Sequence, residues 1–143
     1  MSYWDSSALV KLYVKEADSP QFEALALAGP MVTGTLGLHE ARVVFRRREA
    51  EGVIPSGQGA ALFAELSADA AAGEIREQRE TDRVREKFGE VLEACFSQTP
   101  PVFIRTNDAL HIASALLAGE GAFVSADARQ RAAAVLMNLV VSP

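Results

Sequence analysis

The strongest constraint on this chain is the alternation of very short apolar runs with long segments of helical periodicity. Tyr3–Asp5 reads as the end of a first strand closed by a polar residue, and Met31–Thr33, Ala122–Ser125 and Leu139–Val141 read as further short strands. Between them the apolar residues fall at helical spacings. Ser6–Lys15 places Leu9, Val10 and Tyr13 three and four residues apart. Asp18-Ser19-Pro20 opens a second helix that Gly29-Pro30 stops. Further helices are predicted from Thr35 to about Glu51, from the Pro55-Ser56-Gly57 break to about Ala72, over Thr81–Phe96, from Thr106-Asn107-Asp108 to Gly119, and from Asp127 onward. The Thr81–Phe96 segment is amphipathic, with Val84, Phe88, Val91, Leu92 and Cys95 on one stripe, and Pro100-Pro101 break the chain after it. Glu74–Arg79 fits either a short strand with polar flanks or a loop. Short strands separated by helices predict an α/β fold, a parallel sheet with helices on both faces. In such sheets ligands bind beyond the carboxyl ends of the strands, so the residues that follow each strand carry the functional information.

The chain has 143 residues, about one domain's worth, and reads as a single unit over 1–143. Apolar residues make up 49% and charged residues 23%, a soluble globular balance that excludes a disordered tail protein. No uncharged apolar run approaches ~18 residues, so no membrane-spanning helix is expected. The start, MSYWDSSALVK, lacks the basic and apolar regions of a signal peptide. A single cysteine, Cys95, excludes a disulfide framework and a Cys-rich zinc site, and a reducing cytoplasm is the expected compartment. The net charge of −5 argues against a protein that coats nucleic acid through bulk positive charge. Four acids have a local role proposed below, and without them the remainder is nearly neutral.

Those acids are Asp5 after the first strand, Glu40 one turn into the helix after Met31–Thr33, Asp108 at a helix start, and Asp127 after the strand at 122–125. Helix capping is the ordinary role of an Asp at a helix start. Glu40 is less ordinary, because its neighbours four residues away are Leu36 and Val44. Asp108 likewise has Ile112 and Leu116 at four and eight residues. A carboxylate on an apolar stripe is costly unless it is paired, bound to a metal, or able to reach water. Carboxylates converging in one cleft raise each other's pKa, and a divalent cation removes the conflict. An all-oxygen donor set selects a hard ion, Mg²⁺ or Mn²⁺, over zinc. Such an ion can activate water for attack on phosphorus. The residues alone thus reach metal-assisted phosphoester hydrolysis, without choosing between RNA, DNA and a small phosphate ester.

The sequence resembles the PIN-domain nucleases, and among them the VapC-type toxins of bacterial toxin–antitoxin pairs. The segments that carry the resemblance are Tyr-Trp-Asp-Ser-Ser-Ala-Leu-Val-Lys-Leu-Tyr at 3–13, Leu-His-Glu-Ala at 38–41, Arg-Thr-Asn-Asp-Ala-Leu-His-Ile-Ala-Ser-Ala-Leu at 105–116 and Phe-Val-Ser-Ala-Asp-Ala-Arg-Gln at 123–130. Their order and spacing agree over nearly the whole chain. The resemblance implies a three-layer α/β/α sandwich with a short parallel sheet, and a Mg²⁺- or Mn²⁺-dependent endoribonuclease leaving a 3′-hydroxyl and a 5′-phosphate. It implies inhibition by a cognate antitoxin whose tail occludes the groove, and often a homodimer. Asp5, Glu40, Asp108 and Asp127 match the acidic quartet, as catalytic residues and metal ligands, with Glu40 either binding the ion or orienting the attacking water. Ser6 and Ser125 match supporting hydroxyl positions, Ser125 standing where Thr is frequent, and Trp4 replaces a more usual aliphatic residue.

Several other residues invite a functional reading. His39 is adjacent to Glu40 and points about 100° away on a helix, while His111 lies three residues after Asp108. A structural or hydrogen-bonding role competes with metal ligation for both. Arg46-Arg47-Arg48 suits either a helix C-terminal dipole or contact with RNA phosphates or an acidic antitoxin segment. Arg129, two residues past Asp127, is a candidate phosphate contact. Other phosphate enzymes fit less well. A haloacid-dehalogenase-type phosphatase needs Asp-x-Asp where this chain has Asp5-Ser6-Ser7, and a response-regulator receiver needs a late lysine, whereas Lys87 is the last here. The remaining alternative is a catalytically inactive PIN module that binds RNA or a protein partner.

Overall fold

A computed structural model describes residues Met1–Pro143. Five strands, β1 (Ser2–Trp4), β2 (Met31–Gly34), β3 (Ile75–Gln78), β4 (Ala122–Val124) and β5 (Val140–Ser142), form one sheet in the order β3-β2-β1-β4-β5. Every neighbouring pair is parallel. Seven helices surround it: α1 (Ser6–Leu9), α2 (Ser19–Ala26), α3 (Thr35–Ala50), α4 (Gln58–Ala72), α5 (Asp82–Phe96), α6 (Thr106–Ala118) and α7 (Ala128–Leu136). None is long and apolar enough to cross a membrane. The chain begins at the centre of the sheet, builds one half through β2 and β3, and then crosses β1 to add β4 and β5. This reversal leaves a crevice beyond the carboxyl ends of β1 and β4.

The layers follow from strand alternation, since successive side chains in a strand face opposite sides. Tyr3, Val32 and Phe123 point into one core, with Val84, Val91 and Cys95 of α5, Ile112 of α6 and Ala133 of α7. Trp4 and Val124 point the other way, onto Ala8 and Phe22. Leu9, Ala41, Phe45, Leu62, Leu66 and Ile75 complete the second core under α1, α3 and α4, joined to the Trp4 cluster through Leu12 and Met31. The α/β/α sandwich expected from the sequence is therefore present, and Cys95 is a core residue.

Two local differences from the sequence reading have physical causes. The segment at 74–79 is a strand, β3, at the sheet edge. Only Ile75 on it is buried, because an edge strand needs backbone pairing on one side and little apolar surface. The predicted helix at 6–15 stops early. It narrows to a 3-10 turn at Val10–Leu12, and Lys11 ties the following loop through Glu16 at 2.6 Å and Asp18 at 2.8 Å.

One glycine leaves room for Thr33 where β2 runs into α3. Gly37 is buried within α3, where glycine costs about 1 kcal/mol relative to alanine. A Cβ built there would run into the Thr33 hydroxyl, which is anchored to the Trp4 carbonyl at 2.8 Å, and would lie 3.4 Å from His111 Cε1 on α6. Gly37→Ala, normally stabilising in a helix, is expected here to destabilise by about 1–3 kcal/mol through overpacking. Urea unfolding checks this, and an unchanged or higher midpoint would show that the Thr33 hydroxyl gives way to the added methyl group.

Candidate functional site

Asp5 occupies the position after β1 and N-caps α1. Its Oδ1 accepts the Ala8 N–H at 2.9 Å and the Ser7 hydroxyl at 2.8 Å, while Oδ2 accepts the Ser125 hydroxyl at 2.6 Å. The residue is 1% exposed, and no cationic side chain bonds to it. Burial pushes its carboxyl above the usual range, against the pull of His111 and of the Ser125, Ala8 and Ser7 hydrogen bonds. Ser125 directly follows β4 and also accepts the Asp127 N–H at 3.0 Å, so one hydroxyl joins Asp5 to the Asp127 segment. Ser7 acts in parallel, accepting the Ala126 N–H at 2.9 Å.

Glu40 projects from α3 into the same crevice. Its Oε2 meets the Ser6 hydroxyl at 2.6 Å and His111 Nε2 at 2.7 Å, and its Oε1 accepts from Asn107 Nδ2 at 2.8 Å. Burial alone would raise its pKa, but the hydrogen bonds from His111 and Ser6 outweigh it and bring the group down to about 2. Since a carboxylate only accepts, His111 Nε2 carries the proton in this contact. On the far side of the ring, His111 Nδ1 lies 3.0 Å from the Tyr3 hydroxyl, which itself accepts the Gly34 N–H at 3.0 Å. His111 is thus a buried link between the core and Glu40. His39 is exposed beside Glu40 and bonds to none of the acids.

Asp108 is the third residue of α6, and Asp127 is the N-cap of α7. Asp127 Oδ1 caps the helix through the Arg129 and Gln130 N–H groups at 2.8 and 3.4 Å. Its other oxygen points away from the helix to Arg105 Nη2 at 2.9 Å. The same nitrogen lies 3.4 Å from Asp108 Oδ1, and Arg105 Nε donates to Asp108 Oδ2 at 2.8 Å. One guanidinium therefore bridges both acids. Burial raises the Asp127 pKa, but the two backbone N–H groups and Arg105 hold it below the usual range. Arg129 contributes its backbone N–H to this cap; its side chain is exposed.

All four acids lie at the carboxyl edge of the sheet, linked through Ser125, Arg105 and the α6 residues Asn107 and His111. They do not close into a cage: no three His, Cys, Asp or Glu side chains gather tightly enough to enclose an ion. The donor chemistry nevertheless fits a hard cation. Every acid offers oxygen, Asp5 is buried with no paired cation, and Arg105 supplies positive charge between Asp108 and Asp127. That side chain is 60% exposed, which leaves it free to swing out. Three depressions border Glu40, Asp108 and Asp127, while Asp5 lies buried behind them. One, of about 340 Å³, is lined by Glu40, Arg105, Thr106, Asn107 and Asp108. The others, of about 420 and 560 Å³, have Glu40 and Asp127 respectively in their walls.

Ser7, Asn107, Arg105 and Tyr3 belong to this network without having been singled out in the sequence. Arg105 stands three residues before Asp108, a spacing at which helical side chains meet. Nothing in the sequence distinguishes Asn107 from a helix-start residue, or Tyr3 from any core aromatic.

Comparison with known proteins places this geometry. No curated protein matches the sequence significantly. Among solved structures, VapC20 of Mycobacterium tuberculosis, described as a sarcin–ricin loop cleaving toxin, superposes with a TM-score of 0.69 at 18% identity over 93% of this chain and 95% of that one. VapBC2 from Rickettsia felis, bound to a DNA fragment from its promoter, gives 0.66 at 19% identity over 99% and 98%. FitAcB from Neisseria gonorrhoeae gives 0.65 at 12% identity over 100% and 97%. At these identities the likeness is one of fold. The PIN domain family model matches residues 2–136, and on that match the chain belongs to the PIN domain family.

Proposed function

We propose that this chain is a Mg²⁺- or Mn²⁺-dependent endoribonuclease acting as the toxin of a toxin–antitoxin pair. The observation that carries the reading is the convergence of Asp5, Glu40, Asp108 and Asp127, from four separate segments, on one crevice of a PIN fold. Asp5, Asp108, Asp127 and Glu40 would hold the ion, directly or through water. A hard divalent cation there supplies the charge that stabilises a phosphodiester under attack and makes a nearby water more acidic. Glu40, with a pKa of about 2, is a poor proton acceptor at neutral pH. Its role is to bind the cation or to orient water, with His111, Ser6 and Asn107 fixing its rotamer. Ser125 and Ser7 hold Asp5 in the same way.

The toxin role and the antitoxin partner are supported by the family match and by similar folds solved as VapBC2 with promoter DNA and as FitAcB. A homodimer is proposed from the same likeness. A second reading, an inactive module that binds RNA or a protein, draws on the Arg105 bridge, which neutralises two acids without any metal.

Asp5→Asn separates the two readings. The Asn amide keeps one acceptor for the Ala8 N–H, and the Ser125 hydroxyl can rotate to accept from the new NH₂, so the fold is retained. Cleavage of a fluorogenic RNA with Mg²⁺ or Mn²⁺ is expected to fall by roughly a hundredfold or more, as it does for the unaltered protein in EDTA. Undiminished cleavage by this variant would remove the mechanism. No cleavage by the unaltered, folded protein with either metal would favour the inactive module.

Arg105 gives a test that does not depend on turnover. A monocation beside two ligand carboxylates competes with a divalent ion. Arg105→Gln is expected to lower the melting temperature in EDTA, since Asp108 and Asp127 lose their counter-charge. It is also expected to tighten Mn²⁺ binding about tenfold, seen in isothermal titration calorimetry and as a larger Mn²⁺-induced rise in melting temperature. Weaker Mn²⁺ binding would mean that Arg105 organises the acids for the ion rather than competing with it.

A further inference from the structure

The run Arg46-Arg47-Arg48 near the end of α3 is not three equivalent charges. Arg46 Nη1 bonds to Glu49 at 3.1 and 3.0 Å. Arg48 reaches Glu16 at 2.7 Å and Glu51 at 3.5 Å. Arg47 pairs with no carboxylate and is exposed. It lines a depression of about 420 Å³ together with Ser6, His39, Glu40, Val43 and Asn107. That depression shares Glu40 and Asn107 with the one beside Asp108 and Arg105, and shares Ser6 and Val44 with the one beside Asp127. The three thus adjoin one another through shared wall residues, past Glu40, Asp108 and Asp127. The other basic side chains on the Asp127 side, Lys11 and Arg48, are already held by Glu16 and Asp18. Within the central depression Arg47 is the uncommitted cation.

Arg47 follows Glu40 by seven residues, so it lies two turns along the same side of α3, about 10 Å up the helix axis. We propose that Arg47 is a positioning residue that grips a backbone phosphate of RNA flanking the scissile bond. The proposal rests on the ribonuclease reading above. A guanidinium suits a phosphate because it presents paired donors in a planar fork. Adjoining depressions fit successive nucleotides, whose phosphates can engage the acid-lined centre and Arg47 together. An acidic protein segment along the same depressions would gain one contact at Arg47 and meet repulsion from Glu40, Asp108 and Asp127.

The test uses the full chain with Asp5→Asn, to prevent cleavage, and a fluorescein-labelled single-stranded RNA of mixed sequence. Affinity is followed by fluorescence anisotropy across a salt series. Adding R47Q is expected to weaken binding about tenfold and to lower the slope of log K against log salt by about 0.7, the loss of one phosphate contact on a single strand. R47K is expected to recover the slope, while R46Q, which removes a charge already paired, leaves it nearly unchanged. A structural effect of Arg47 would not lower the slope by one contact, and its exposure leaves the fold intact. An unmoved slope in R47Q, or an equal fall in R46Q, overturns the proposal. If R47Q leaves RNA binding intact but weakens capture of an acidic peptide, the contact is with protein and the proposal also falls. These failures leave cleavage by the unaltered protein in place. Absence of both RNA binding and cleavage would instead overturn the ribonuclease reading and this proposal together.

Discussion

A buried carboxylate at the end of the central strand governs the rest of this molecule. Asp5 follows β1, the middle strand of the five, and is 1% exposed. Removing a carboxylate from water is costly unless hydrogen bonds or opposite charge replace the lost hydration. Here the replacement comes from hydroxyl and amide donors, which stabilise the anion without neutralising it. The surrounding segments are arranged to deliver those donors: Ser7 and Ala8 from the helix that Asp5 itself caps, and Ser125 from the end of the neighbouring strand. Burial still outweighs these donors and keeps the Asp5 carboxyl above the usual range; under the function proposed above, a bound cation would relieve it.

Glu40 and Asp127 are compensated differently from Asp5. Glu40 is held far below the usual range by hydrogen bonding with His111, Ser6 and Asn107. Asp127 is lowered by helix N–H groups and Arg105. Asp5 is raised by burial. Environments that push carboxyl pKa values apart in one cleft are a mark of functional arrangement. Glu40 is ionised at any physiological pH with its geometry fixed from the core outward, through Tyr3 and His111. Gly37, one turn before Glu40 in α3, leaves room for the Thr33 hydroxyl beneath it.

Much of this was legible in the sequence because strand ends, helix starts and polar residues on apolar stripes all leave local signatures. Asp5, Asp108 and Asp127 could be located by their place after strands or at helix starts, and Glu40 by its Leu36 and Val44 neighbours. The legibility fails where a role depends on a contact between distant segments. Ser7, Asn107 and Tyr3 have ordinary local identities, and only folding brings them to Asp5, Glu40 and His111. The strand at 75–78 was ambiguous because an edge strand is specified by its neighbour's backbone more than by its own apolar pattern. The helix beginning at Ser6 was overestimated because periodicity continues through Val10 and Tyr13, while the 3-10 turn that ends it comes with Lys11 reaching the following loop.

For Asp5 and Asp127, helix capping and a second contact at the strand ends are compatible. A carboxylate has two oxygens. In Asp5, Oδ1 caps α1 while Oδ2 meets Ser125; in Asp127, Oδ1 caps α7 while Oδ2 meets Arg105. The capping contact fixes the side-chain rotamer, and the second oxygen is then held for another partner, Ser125 at Asp5 and Arg105 at Asp127, at little further loss of side-chain freedom. A helix start beyond a parallel strand is therefore an economical place for a ligand carboxylate, because the interaction that orders it contributes to the fold at the same time. It follows that an Asp found capping such a helix is not evidence against a role at the strand ends. The discriminating observation is where its other oxygen points.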